Sequence, residues 1–430
     1  MKKVVVVGSG AGGASIAKEL QGCCQVTVLE EGGRFRPFSY SLRAIEKLRK
    51  TGFFFDERAI PLLFPNMQIR KTRKGMVLVR GRGLGGSTTI CAGNGLRLDH
   101  DLRGLGIDLD PEFEEIAREI PVTTKHQKNW RPATRRLFEI CEGMGFNPRP
   151  LPKMGDYDRC INCGRCILGC PQGAKWDSRK YLREAEEKGA RIITSCRVER
   201  VSMNGSRVTG VSAKKGLRRI SFPADFVILA AGGFGTPVIL KNSGIACDPK
   251  LFVDPVLCVA AEWEGALQNR EVCMPFVVEA GPTIISPYFD PLSFFFNKDW
   301  RLPAKNILSL MIKLADSNEG DIGNGKIRKD LTDEDRRHLS RGADLCAEIL
   351  MRFGVDQAKF FFGTLNAGHP GGMVPLTSAE AESLHPPRLP DNLYLADATL
   401  FPASLGKPPI LTIIALAKRV GKRILEMTAV

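Results

Sequence analysis

No run of consecutive apolar residues in the 430-residue chain approaches the roughly 20 needed to cross a bilayer as a helix. The N-terminal MKKVVVVGSGAGG passes from a short apolar run straight into glycines, without the h-region of a secretory leader, so a cytoplasmic location is expected. No internal repeat and no low-complexity tract is present. Helix-turn-helix, zinc-finger and RNA-binding signatures are also missing, so the formal charge of +15 does not read as a nucleic-acid footprint. That charge suits an acidic protein partner, an anionic membrane surface touched from outside, or simply a solvated basic face.

What is present describes a globular protein, with 43% hydrophobic and 25% charged residues. The length favours two domains, one of them interrupted by the other. Thirteen cysteines in a reducing compartment argue against a disulfide framework and for metal ligation or redox chemistry in any cluster.

The stretch KKVVVVGSGAGGASIAKEL reads as a buried valine strand, a turn at Gly8, Gly10 and Gly13, and an apolar helix. QVTVLEEGG follows as a second strand ending at Glu30. This is a βαβ dinucleotide unit: glycines let the backbone approach a pyrophosphate, the helix N-terminus offers N–H groups, and the acid takes ribose hydroxyls. Residues 37–80, with the aromatic run Phe53–Phe55, carry no clear role. Residues 106–158 read as helical and 178–189 as an amphipathic helix. The segments 191–201 and 207–216 read as strands, DFVILAAGGFGTPVILKNSG as a buried strand, a glycine turn and a helix start, and 250–305 as antiparallel sheet. NLYLAD and ILTIIALAKRVGKRIL near the C-terminus give a last strand and helix.

Between the helical stretches lies CINCGRCILGCP, spaced C-x2-C-x2-C-x3-C-P at Cys160, Cys163, Cys166, Cys170 and Pro171. That is the bacterial ferredoxin ligand spacing, and with a single such run all four thiolates would hold one [4Fe–4S] cluster in an irregular loop. A structural zinc site, a pair of disulfides and a metal-free loop are the alternatives. The other nine cysteines show no ligand spacing and read as small buried hydrophobes.

Four separated blocks share one resemblance. GSGAGG, GRGLGGSTTICAGN (81–94), ILAAGGFGTPVIL (228–240) and the C-terminal NAGHPGG with LPDNLYLADATLFPASLGKPPILTIIALAKR resemble the glucose-methanol-choline (GMC) oxidoreductases. The cysteine segment is similar to the long-chain alcohol oxidase and dehydrogenase branch. The resemblance implies an α/β fold with a Rossmann-type FAD-binding domain built from discontinuous segments (1–105, 190–250, 365–430). It also implies a substrate domain of α+β type with antiparallel sheet (251–364), with residues 106–189 as a helical, cysteine-rich insertion. FAD would be held by Gly8, Gly10, Ala11, Gly13 and Glu30, by Gly85, Gly86 and Ser87, and by Val198, Ala231, Gly232, Asp397 and Pro409. His369, in GHPGG, corresponds to the family's active-site histidine.

Two departures stand out. Pro408 occupies the position of the Asn or His that normally pairs with that histidine, and Cys91 stands where an asparagine often follows the Gly-Gly-Ser loop. His369 remains suited to accept a hydroxyl proton, since an unperturbed imidazole is largely neutral at pH 7. His100, His126, His338 and His385 read as structural or solvated. Phe294–Phe296 and Phe360–Phe362 are candidates for an apolar substrate pocket, with core packing the commoner role for such rings.

The expected activity is FAD-dependent oxidation of CH–OH groups of an apolar or small alcohol. Electrons would pass through the cluster to an acidic one-electron carrier such as a ferredoxin. A ferredoxin-linked flavin reductase of an activated or isoprenoid C=C bond, favoured by Pro408, and a non-catalytic electron-transfer subunit are the alternatives.

Overall fold

The structure is a computed structural model and describes residues 1–38, 46–47, 60–323 and 326–428; Phe53–Phe55 lie outside them. A five-stranded parallel sheet has the order Leu393–Leu395, Phe226–Leu229, Lys3–Val7, Gln25–Leu29, Arg191–Ile193. Its centre, Val4–Val7, is buried throughout, as a parallel strand covered on both faces requires. The helix Ala11–Leu20 packs against the C-terminal helix Ile410–Thr428 over one face. An antiparallel ribbon, Arg197–Asn204, Arg207–Lys215 and Arg218–Pro223, lies beside the strand Phe226–Leu229.

The second, nine-stranded sheet is almost wholly antiparallel and carries Pro255–Glu262 and Ile307–Leu314 at its centre. ILSLMIKL at 307–314 is buried at every position, and its period of two divides two environments. Leu308, Leu310, Ile312 and Leu314 pack under the helix Asp333–Arg352, against Leu339, Cys346, Ile349 and Leu350. Ile307 and Met311 point the other way, towards Phe294–Phe296 and Trp300. Lys313 shares that second face by register.

Met67–Lys71 and Val77–Gly81 join the large sheet rather than the nucleotide-binding one. The stretch 106–189 divides: Asp110–Glu119 packs on the C-terminal helix, Arg179–Glu187 on Ala11–Leu20, and Pro132–Gly143 on Asp333–Arg352. The cysteine segment is irregular apart from one short turn at Cys166–Leu168, and the next helix starts at Arg179. No helix among the described residues is long and apolar enough to cross a membrane.

Candidate active site

A cavity of about 880 Å³ runs between the two sheets, towards the upper end of the roughly 300–1,000 Å³ of small-molecule sites. Gly8, Gly10, Ala11, Glu30, Gly86, Ser87, Val198, Ala231, Gly232, Asp397, Pro409 and His369 all line it. Gly13 and Gly85 do not; a Cβ on Gly85, at φ +96°, would meet the side chains of Thr89 and Arg179. A Cβ on Gly13 would sit 2.0 Å from Gly8 O, so this glycine sets the close packing of helix on strand. Gly85 N–H donates to Ser9 Oγ at 3.1 Å.

At the fingerprint end Gly8 has φ +102°, and a Cβ there would lie 2.3 Å from Ala230 O. Two helix N-termini, after Gly10 and after Ala231, border the cavity and offer N–H groups suited to phosphate. The Glu30 carboxylate accepts from Ser9 N and Oγ and from the Gly32 and Gly83 amides. Burial raises its pKa against those hydrogen bonds. A ribose would compete with Ser9 for it, while the neighbouring Glu31, paired with Arg80 at 2.8 Å, also lines the cavity. Asp397 is tied internally: it accepts from Gly232 N, Thr236 Oγ1 and Thr399 N and Oγ1. It thereby fixes the C-terminal block to the Gly232 turn.

The other end of the cavity holds His369 and residues the sequence reading missed. His369 Nδ1 lies 3.0 Å from Asp254 Oδ2. Asp254 is 1% exposed and adopts φ +53°, in the left-handed region that Asp tolerates better than most residues. Lys313 Nζ lies 3.3 Å from the same oxygen and donates to Asp254 O at 3.1 Å. Ser404 Oγ and Gly406 N donate to Asp254 Oδ1, which pins the loop carrying Pro408 against the dyad. Lys313 and the imidazole hold the Asp254 carboxyl below its usual range despite the opposing cost of burial. Burial, then Lys313, lowers the His369 pKa, while Asp254 works against them.

A carboxylate can only accept, so a neutral His369 carries its proton on Nδ1 and keeps the Nε2 lone pair free. Nε2 makes no hydrogen bond to a described residue. Pro408 also lines the cavity and offers no side-chain partner, so the dyad is completed by Asp254, which immediately precedes the strand Pro255–Glu262. Phe295, Phe296, Met274, Met311, Leu292 and Val256 make the surrounding wall apolar. Phe294 is instead core, and Phe360–Phe362 form a strand on Val259–Ala261 away from the cavity.

The signals for the missed residues are an aspartate before proline in the apolar LFVDPV and a lysine in the buried strand ILSLMIKL. Of the other histidines, His126 is structural: it is buried, bonded to Leu151 O and Trp130 Nε1, and pushed down to about 4 by burial.

Cys160, Cys163, Cys166 and Cys170 line a second, small cavity of about 20 Å³. All thirteen cysteines are free thiols, which sets aside the pair of disulfides. Among the described residues no group of three or more His, Cys, Asp or Glu side chains is arranged to hold a metal ion. The loop is not isolated from the first cavity, because Ile167 and Leu168 line that one. Lys175 Nζ donates to Thr88 O, Thr89 O, Cys91 O and Cys166 O at 2.9–3.1 Å, stitching the loop after Gly86 to the cysteine loop. Lys153, fully buried, donates to Cys273 O and Met274 O. Cys273 Sγ donates to Gly164 O within the cysteine loop, a neighbour that spacing along the chain does not reveal.

A family model described as GMC oxidoreductase matches residues 3–257. An uncharacterised protein of Methanocaldococcus jannaschii, MJ1450, is 29% identical over 99% of this chain and 100% of its own length. An uncharacterised GMC-type oxidoreductase of Mycobacterium tuberculosis is 31% identical over 62% of this chain and 45% of its own. Long-chain-alcohol oxidase FAO1 of Arabidopsis thaliana is 22% identical over 98% of this chain and 66% of its own. The crystal structure of pyridoxine 4-oxidase from Mesorbium loti superposes with a TM-score of 0.71 at 16% identity, covering 98% of this chain and 99% of that one. The chain belongs to the GMC oxidoreductase family and is a flavin-dependent oxidoreductase.

Proposed function

We propose that the protein oxidises CH–OH groups of an apolar alcohol and that the electrons leave singly through a [4Fe–4S] cluster held by Cys160, Cys163, Cys166 and Cys170. The observation that carries the alcohol chemistry is the His369–Asp254 pair on the wall of the cavity. FAD fits the residues present: glycine turns that a Cβ would block, two helix N-termini and a wall of small residues. Bound there, the flavin supplies a hydride acceptor. Every other part of the chemistry belongs to the chain. His369 Nε2 takes the hydroxyl proton, Asp254 holds the ring in the tautomer that allows it, and Lys313 adds positive charge where negative charge develops on the substrate oxygen. The apolar wall excludes water.

The cluster reading rests on the ferredoxin spacing together with two buried ammonium groups. Lys153 and Lys175 are 0% and 3% exposed, and among the described residues neither has a carboxylate partner. Buried cations are normally paired, and a set of thiolates around an iron–sulfur cube is the anion that would complete them. A cube spreads its ligands over its corners instead of gathering them round one ion. The small cavity holds about one water-sized guest, and its Ile161 and Pro171–Gly173 side faces solvent. The cluster would supply one-electron storage.

Anaerobic purification with counts of iron, sulfide and flavin tests the reading. About four irons per chain, and a Cys163→Ser variant that loses the broad visible absorption while keeping the flavin bands, are expected. FAD with only trace iron would reduce the protein to a GMC enzyme without the cluster.

The C=C reductase alternative draws on Pro408. Assays of alcohols and enones with a one-electron dye separate the two, alcohol-dependent dye reduction being expected.

A further inference from the structure

The mouth of the cysteine-lined cavity opens on a surface with an unusual charge balance. Ile161 stands on the rim and is 61% exposed, an isolated apolar point. Arg165 also lines the rim, and Arg159 reaches across the loop to Gln172 O at 3.0 Å. The neighbouring segments continue the positive charge. Asn162 Nδ2 bonds Asn129 O, Gly164 abuts the backbone of Asn269 and Arg270, and Arg131 Nε donates to Arg270 O. Arg135, one turn on, bonds only backbone carbonyls. These five guanidinium groups have no carboxylate partner among the described residues. Asp158 beside the loop is already held by Lys125 and Lys128 at 2.8 and 2.7 Å, and the buried Glu271 carboxylate is occupied by Arg131 N and Thr134 Oγ1.

We propose that this face is the docking surface for an acidic one-electron carrier protein, bound by Arg131, Arg159, Arg165 and Arg270 around the apolar contact at Ile161. The inference rests on the cluster reading above. Charge complementarity selects the occupant: unpaired guanidinium groups are weakly hydrated, fork carboxylates in pairs, and steer an acidic partner from a distance. An anionic membrane would meet the same charge, but a single exposed isoleucine is not the broad apolar face of an interfacial helix. The step is a transfer of one electron from the reduced protein to the oxidised carrier, without proton or group transfer.

The test uses full-length protein, reduced anaerobically and mixed with an oxidised plant-type ferredoxin in a stopped-flow instrument. A small neutral quinone serves as the second acceptor. In the wild type the second-order rate with ferredoxin should fall at least tenfold between low and moderate salt, within the ten- to thousandfold range of electrostatic steering. The Arg159→Glu/Arg165→Glu variant should lose at least tenfold at low salt, while its rate with quinone and its iron and FAD contents stay within twofold of wild type. Full iron with a ferredoxin rate indifferent to salt and to charge reversal would overturn the docking face and leave the cluster standing. Absence of iron together with absence of ferredoxin reduction would overturn both. Binding to phosphatidylglycerol vesicles that the variant abolishes, with ferredoxin reduction unchanged, would reassign the face to a membrane and sink the proposal.

Discussion

Asp254 and His369 are 115 residues apart in sequence and 3.0 Å apart in space, and the carboxylate decides which imidazole nitrogen is free. Replacing Asp254 by Asn keeps the shape but lets the amide donate to Nδ1, which moves the proton to Nε2. With the dye assay, kcat should drop on the order of 10²-fold or more, the range of general base catalysis. Activity within threefold of wild type would show that the tautomer does not matter.

The same pair sets the acid side of the pH profile. Burial and Lys313 lower the His369 pKa, so the imidazole stays neutral below the ordinary value near 6.5. In kcat/KM the acid limb should therefore fall below pH 6.5. Lys313→Gln removes a nearby positive charge and should move that limb to higher pH. Folding follows the same sign: a depressed histidine pKa contributes stability that is present above the unfolded value and lost as pH falls from there through the lower folded value.

Gly13→Ala tests the fingerprint by geometry alone, since its Cβ would meet Gly8 O at 2.0 Å. Separating helix from strand should lower stability by about 1–3 kcal/mol and strip FAD, read from urea midpoints and flavin content after gel filtration. Retention of a full complement of FAD would contradict the packing role.

Phe296 lines the apolar end of the cavity and is 4% exposed. Phe296→Leu leaves an aliphatic wall with more room. The ratio of kcat/KM for a longer alcohol over a shorter one should rise about tenfold, as methylene-sized changes in apolar sites do. An unchanged ratio would place the substrate elsewhere in the cavity.

Lys175→Met should cost about 2 kcal/mol, because the carbonyls of Thr88, Thr89, Cys91 and Cys166 lose a buried donor. Thermal unfolding of the variant beside Lys128→Met, a surface control, measures it.

The sequence carried the parts of this site that depend on backbone chemistry. Gly8 and Gly10 announce a turn between strand and helix, and the continuous apolar runs in FVILAAGG and NLYLAD place buried strands before any fold is known. Asp254 and Lys313 were not legible, because their meaning comes from a pairing across the large sheet that no local pattern encodes. LFVDPV reads as a strand with a turn residue, and only the αL backbone of Asp254 aims its carboxylate at His369. The sheet that takes up residues 67–81 escaped for a related reason: Val77 and Leu78 pair with Asn366 and Ala367, and Met67–Lys71 pairs with Val77–Gly81, but strand propensity says nothing about which sheet receives a strand. Cys273 escaped in the same way, being adjacent to Gly164 through folding rather than spacing.

The parallel sheet places Lys3–Val7 between Gln25–Leu29 and Phe226–Leu229, with Leu393–Leu395 beyond. Such distant pairings carry a loop-closure cost that short-range structure does not. On a ribosome, the N-terminal strand is made first but its second neighbour emerges some two hundred residues later, and the Pro408 loop emerges last. Flavin capture is therefore a late event, closing a chain already largely collapsed. The cysteine segment, contained within eleven consecutive positions, waits too, because Cys273, whose Sγ reaches Gly164 O, follows that glycine by 109 residues.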